Sequence, residues 1–238
     1  MTARALHQGG SLRAWADCPL CRTATVRAFA EAHGRSYGAC DTCGLIHLAP
    51  EQRLASDSER ARYTLHQNTP EDLDYRAFLR RVADPLMEQL PRGAEGLDFG
   101  SGPGPTLSEM LGEAGFCVKV YDPFFAPDAQ ALNDTYDFIT CTETAEHFFH
   151  PAHEFDRLHR MLRPGGWLAL MTEHYEDQPF EQWWYARDPT HACFYRARTM
   201  TWLADHYRWR MVTPHRNVRM FQRGTTDSTE VSRDTWVP

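Results

Sequence analysis

The residues best able to do chemistry fall into four groups. The first is two cysteine pairs, Cys18/Cys21 in CPLC and Cys40/Cys43 in CDTC, separated by 18 residues. That separation lies within the span of a four-cysteine zinc ribbon. Two such knuckles give zinc a closed tetrahedral set of thiolates with no position left for a substrate, so the expected ion is structural. The bland alternative is four unmetallated thiols in a reduced protein. Cys117, Cys141 and Cys193 stand alone and read as core thiols rather than nucleophiles.

The second group is the loop in LDFGSGPGPTL, where Gly100, Gly102 and Gly104 follow Asp98 and Phe99 just ahead of a helical pattern. Glycine accepts positive φ and removes the Cβ wall, and a helix start supplies amide donors, so a ligand can approach this backbone closely. The third glycine of the dinucleotide fingerprint is missing. Further on, at the separation expected of a carboxylate that reads ribose hydroxyls, the run VYDP ends in Asp122 and Pro123. A carboxylate there disfavours a 2′-phosphate, so the expected ligand is an unphosphorylated nucleoside derivative. An ordinary tight turn and a solvated loop-end Asp are the competing readings.

Glu143, Glu146 and His147 form the third group, directly after the run YDFITCT. On a helical turn Glu143 and His147 would share one face at i and i+4, able to bind a cation together or to take a proton from a substrate. A structural reading has Glu146 capping a helix and His147 bonding a loop. The fourth group is FEQWWYARDPTHACFY, which brings Trp183, Trp184, Tyr185, Asp188, His191, Phe194 and Tyr195. Rigid rings of this density can wall a pocket for a planar or apolar small molecule, with His191 and Tyr195 orienting its nucleophile. The same rings could simply close the edge of the core.

The rest of the chain must position these groups. Its 238 residues are 42% hydrophobic and 24% charged, which places it among folded globular chains of one full domain plus a small appendage. Lys119 is the only lysine, which excludes Schiff-base chemistry and a Walker phosphate loop. The net charge of −7, with no basic cluster near the cysteines, gives no support to nucleic acid as a partner. No apolar run is long enough to span a bilayer, and the start MTARALHQGG lacks the apolar segment of a secretory signal, so the expectation is a cytoplasmic protein without a membrane partner.

Apolar spacing predicts a helix through DLDYRAFLRRVADPLMEQL, kinked or split at Pro85. A strand at 96–99, a helix at 106–114, a strand at 117–122, a strand at 137–142 and a helix from Pro151 follow. Pro164-Gly165-Gly166 turns the chain into the strand WLALMT, and a helix at 197–207 precedes the hairpin of RWRMVT and VRMFQR. This alternation predicts an α/β, doubly wound parallel sheet with an antiparallel finish. The expected divisions are a zinc-ribbon-like segment at 1–55, the α/β domain at 56–223, and a mobile tail at 224–238.

With these motifs in order, the chain resembles the class I S-adenosylmethionine-dependent methyltransferases, which have a Rossmann-like sheet. The likeness is carried by DFGSGPG at 98–104, YDP at 121–123, DFITCTETAEHFFHP at 137–151 and LRPGGWL at 162–168. Within them it looks most like the small-molecule branch that includes the ubiquinone-biosynthesis O-methyltransferases. The resemblance implies that Asp98, Gly100, Gly102 and Gly104 surround the methionine part of the cofactor, that Asp122 holds the ribose, that Pro123 is also among the cofactor-binding residues, and that Tyr63 closes over the cofactor. Phe124 is a candidate to stack on adenine. The same Glu-x-x-Glu-His pattern in those O-methyltransferases implies a divalent ion such as Mg²⁺ on Glu143, Glu146 and His147, set against a metal-free His147 base. The chain departs from the family between Asp122 and Asp137, where too few residues remain for the usual helix and strand. Methyl transfer to a small molecule, first to oxygen and then to nitrogen or carbon, is the expected activity. The alternatives are a zinc-ribbon-guided enzyme acting on RNA or protein, and a binding module without catalysis.

Overall fold

The computed structural model describes residues 15–64 and 69–225. The start of the expected zinc segment, and the expected mobile tail from residue 226 onward, lie outside the described residues. The N-terminal strands β1 (Val26–Ala32), β2 (Arg35–Cys40) and β3 (Ile46–Leu48) form an antiparallel meander. Its first turn is His33-Gly34, both at positive φ, the conformation that a two-residue hairpin on twisted strands requires. Sequence periodicity did not disclose these strands. They are short, β3 is buried along its whole length, and the alternation that marks a half-buried strand is lost.

Helix α1 (Ser56–Tyr63) is followed by α2 (Leu73–Met87). Asp72 caps α2 by accepting from the amides of Asp74 and Tyr75, and Leu79, Val82, Ala83 and Leu86 form its buried stripe. The expected split at Pro85 does not occur. Pro85 lies in the last turn, where the helix has few further bonds to lose, and α2 stays one element.

The second sheet is built from β4 (Glu95–Phe99), α3 (Thr106–Glu113), β5 (Cys117–Tyr121), β6 (Tyr136–Thr142), α4 (Pro151–Met161) and β7 (Leu162–Met171). A two-residue strand β8 (Cys193–Phe194), α5 (Ala197–Tyr207), β9 (Arg210–His215) and β10 (Val218–Gln222) complete the described chain. The strand order is β5-β4-β6-β7-β10-β9, parallel through β7 and antiparallel beyond it, the Rossmann-like sheet with its closing hairpin. Side chains alternate along β7. Trp167, Ala169 and Met171 face the layer of α2 and α3, while Leu168 and Leu170 face α4 and α5. Both faces are therefore apolar, as a covered parallel sheet demands. The Pro164-Gly165-Gly166 turn falls inside β7, whose pairing with β6 is irregular between Tyr136 and Phe138.

Between β5 and β6 no helix or further strand forms, only turns and an isolated bridge of Asp122 with Ala126, so β5 is the edge strand, in keeping with the short Asp122–Asp137 interval. β8, from the aromatic loop of the α/β half, pairs with β3 as the fourth strand of the N-terminal sheet, and Cys18, Leu20 and Leu45 share a core cluster with Phe155 and Tyr195. Among the described residues no helix is long and apolar enough to cross a membrane.

Candidate active site

The sheet changes direction between β4 and β6, and the segments leaving their C-terminal ends frame a cleft, where open α/β sheets place ligands. At the end of β4, Gly100 (φ +80°) and Gly102 (φ +65°) turn the chain. A Cβ on Gly100 would sit 2.2 Å from the Thr144 side chain, so glycine is required where the loop passes the β6 segment. Thr144 donates to the Gly100 carbonyl (3.1 Å), and the Gly100 amide donates to Tyr121 (2.8 Å). Asp122 locks the loop: Oδ2 accepts from the Gly102 amide (3.0 Å), and Oδ1 accepts from Phe124 (2.8 Å) and Phe125 (3.0 Å). Asp98 is buried beneath, accepting from Thr140 (2.7 Å), and burial pushes its carboxyl up to about 6.

Two cavities open on either side of this loop. One, of about 330 Å³, is lined by Asp122, Pro123, Phe124 and Phe125, with Tyr63 also on its wall. The Tyr63 hydroxyl donates to Glu59 (2.7 Å), and its ring lies 5.8 Å from Phe124 and 5.1 Å from His147. The other, of about 510 Å³, is lined by Asp98, Gly104, Glu146, Trp184, Tyr185 and His191 among others. Gly100, Gly102, Glu143 and His147 line both. Arg62 closes a bidentate pair on Asp188 (2.9–3.0 Å), tying α1 to the aromatic loop beside the second cavity. Burial opposes ionisation of Asp188, but hydrogen bonds from Arg62 and Thr190 hold its carboxyl well below the usual range.

The segment after β6 is not the helical turn that i, i+4 spacing suggested. Glu143 is left-handed (φ +47°), a strained position for a residue with a Cβ, and a short 3₁₀ turn starts only at Ala145. Glu143 keeps Oε1 buried without a partner, and Oε2 accepts from the Tyr185 hydroxyl (3.3 Å). Burial first, then the Glu146 and Glu173 carboxylates, push its carboxyl well above the ordinary range. Glu146 is fully buried and caps no helix; its Oε2 accepts from Thr172 (2.9 Å), whose oxygen lies 3.0 Å from the Tyr185 hydroxyl. His147 Nδ1 lies 3.2 Å from the Thr190 carbonyl, as the loop-bonding reading required, while the ring still lines both cavities.

His191 reaches the second cavity, with Nδ1 2.8 Å from the Tyr185 carbonyl and its ring 4.9 Å from that of His147. Burial lowers it to about 4. Tyr195 does not reach either cavity. It is wholly buried and its hydroxyl donates to the Ala145 carbonyl (3.0 Å), bracing the 143–147 segment from behind. Trp183 and Phe194 are likewise core, whereas Trp184 is 61% exposed at the second cavity. The Mg²⁺ set on Glu143, Glu146 and His147 is not supported. Among the described residues the groups close enough to share an ion here are Glu146, His147 and His191, which lack the oxygen-rich shell Mg²⁺ takes. Thr172 and Arg62 were not singled out from the sequence, because a threonine ending a strand and an arginine in a charged helix carry no local signal.

The four cysteines fit a zinc ion. One sulfur of each lies within 4.8 Å of the others, with Cys18–Cys43 at 3.6 Å and Cys21–Cys40 at 3.4 Å. Zn–S bonds of about 2.3 Å in a tetrahedron require sulfurs roughly 3.8 Å apart. Each pair sits on a turn with a left-handed residue, Arg22 (φ +59°) or Gly44 (φ +79°). Hydrogen bonding from Cys43 holds the Cys18 thiol down to about 5 while pushing Cys43 up. Cys141 and Cys193 are buried as expected, but Cys117 is exposed on the edge strand.

Residues 71–213 match the sequence family described as a methyltransferase domain. The chain belongs to that family and is a methyltransferase. No match to a curated protein was found. Among solved structures, the chain is similar to 1,6-didemethyltoxoflavin-N1-methyltransferase from Burkholderia thailandensis, crystallised with 1,6-didemethyltoxoflavin and S-adenosylhomocysteine. The two are 17% identical over 83% of this chain and 99% of that one, with a TM-score of 0.46. An O-methyltransferase family protein from the same organism is 14% identical over 70% of this chain and 63% of its own, with a TM-score of 0.45. A methyltransferase of calicheamicin biosynthesis with S-adenosylhomocysteine bound is 12% identical over 63% and 54%, again at 0.45.

Proposed function

We propose that the enzyme transfers a methyl group from S-adenosylmethionine to a small molecule bearing a removable proton on oxygen or nitrogen. The observation that carries this reading is the meeting of two cavities at Gly100, Gly102, Glu143 and His147, one lined by Asp122 and aromatic rings and the other by proton acceptors. When bound, the cofactor supplies an activated methyl group, leaving the protein to align the partners, exclude water and remove one proton. Asp122 would accept from a ribose hydroxyl with the one Oδ2 lone pair its three amide donors leave free. Phe124 and Phe125 would flank the adenine, and Tyr63 would cover the nucleoside. His147, its Nδ1 turned to a carbonyl, would take the acceptor proton on Nε2. The four cysteines would hold one structural zinc ion.

Calorimetry with S-adenosylhomocysteine tests the cofactor site. One molecule should bind per chain, and Asp122→Ala should weaken binding by about 1.5–3 kcal/mol, the worth of hydrogen bonds to a charged group. Absence of binding, or undiminished affinity in that variant, would remove the reading.

A further inference from the structure

Three groups at the second cavity can all accept hydrogen bonds or bind a cation. Glu146 is buried, with Oε2 satisfied by Thr172 and Oε1 without a partner, 3.9 Å from His147 Nε2. His147 and His191 each turn Nδ1 to a backbone carbonyl, that of Thr190 and that of Tyr185. A carbonyl can only accept, so each ring carries a proton on Nδ1, and the neutral form of each keeps its lone pair on Nε2. One ligand-capable atom of each of the three residues lies within 4.8 Å of the others. The cavity's two arginines do not answer them: Arg62 is engaged by both carboxylate oxygens of Asp188, and Arg187 is exposed.

Building on the methyl-transfer reading, the geometry points to a protonated amine as the methyl acceptor, donating its N–H groups to Glu146, His147 and His191. A hydroxyl brings one donor to three acceptors, whereas a primary or secondary ammonium brings two or three. Charge decides in the same direction. Deprotonating a hydroxyl would create an anion beside the buried Glu146 carboxylate, which costs most where water is excluded. An ammonium instead arrives as the counter-ion, and the rings of Trp184 and Tyr185 on the same cavity favour a cation.

The reaction then balances without a further reagent. The ammonium gives one proton to His147 Nε2, and the freed nitrogen lone pair attacks the sulfonium methyl carbon. The carbon–sulfur bond breaks with its electron pair going to sulfur. The products are a methylated ammonium and S-adenosylhomocysteine, and His147 returns its proton to water.

The test uses the full-length protein saturated with S-adenosylhomocysteine. It is titrated with methylammonium and benzylammonium and, in parallel, with methanol and benzyl alcohol, following the imidazole NMR resonances of His147 and His191. The amines should give saturable shifts and bind roughly 10- to 100-fold more tightly than the alcohols, as charge-assisted hydrogen bonds require. Glu146→Gln should erase that preference while S-adenosylhomocysteine still binds, and His191→Asn, a milder change, should reduce it. Amines and alcohols binding alike, no shift from either, or a firmly held metal ion on these three residues beyond the cysteine-bound one would each overturn the proposal. Failure of S-adenosylhomocysteine to bind would sink the cofactor reading itself, whereas a failure confined to the amines would sink only this inference.

Discussion

His191 sits at the second cavity with burial holding its imidazole near 4, against about 6.5 in the unfolded chain. The unfolded state therefore binds the proton first. The stability that neutral His191 allows is complete above the unfolded value and is lost as pH falls through the folded one. Comparing urea midpoints at neutral and acid pH, wild type should lose up to about 3 kcal/mol more than His191→Asn on acidification. Parallel pH profiles for the two proteins would contradict this assignment. The residue types of the site were legible in the sequence, because glycines, carboxylates and histidines at loop ends announce themselves. Their orientation was not. Tyr195 and His191 stand four residues apart in one aromatic loop, and only packing sends one into the core and the other to the cavity.

At the level of elements, β8 couples the cysteine cluster to the acceptor wall. Leu48 donates to the Ala192 carbonyl (2.9 Å), the Ala192 amide donates to the Glu146 carbonyl (2.8 Å), and Arg35 binds the carbonyls of Ala186 (2.9 Å) and Asp188 (3.0 Å). Cys40→Ser should then loosen more than residues 15–50. Hydrogen exchange should show protection falling at Leu48 and Ala192 as well as around the cysteines, with S-adenosylhomocysteine affinity largely kept, since none of residues 15–50 lines the first cavity. Protection changes that stop at the cysteine turns would show that the two are uncoupled. The α/β elements were legible because their periods are long and regular. β1, β2, β3 and β8 were not, since their partners lie in another part of the chain and short strands without alternation carry no local period.

For the molecule as a whole, the cluster that contains Cys18 and Leu45 also contains Leu97, Phe155 and Tyr195, so the cysteine turns share a core with one face of the large sheet, while Tyr37, Ile46 and Leu48 of the N-terminal strands pack with Tyr175, Phe180 and Phe194 of the aromatic loop. Heat or denaturant should therefore unfold the described chain in one transition when followed by tryptophan fluorescence and by circular dichroism. A separate early melting of the N-terminal sheet, or non-coincident curves, would count against a shared core. A saturating nucleoside ligand should shift that single midpoint upward, since it binds only the folded form.

The pairing of Ile46 with Phe194 also sets a timetable for synthesis. The strands that hold the cysteines leave the ribosome first, yet the edge of β3 has no neighbour until nearly the whole α/β half has been translated. For that interval the nascent chain carries an open strand edge and four thiols. If the cysteines take up the proposed zinc, its early capture would shield the four thiols while the edge waits, and a cell short of zinc should accumulate this protein as aggregates of newly made chains rather than as folded, inactive enzyme.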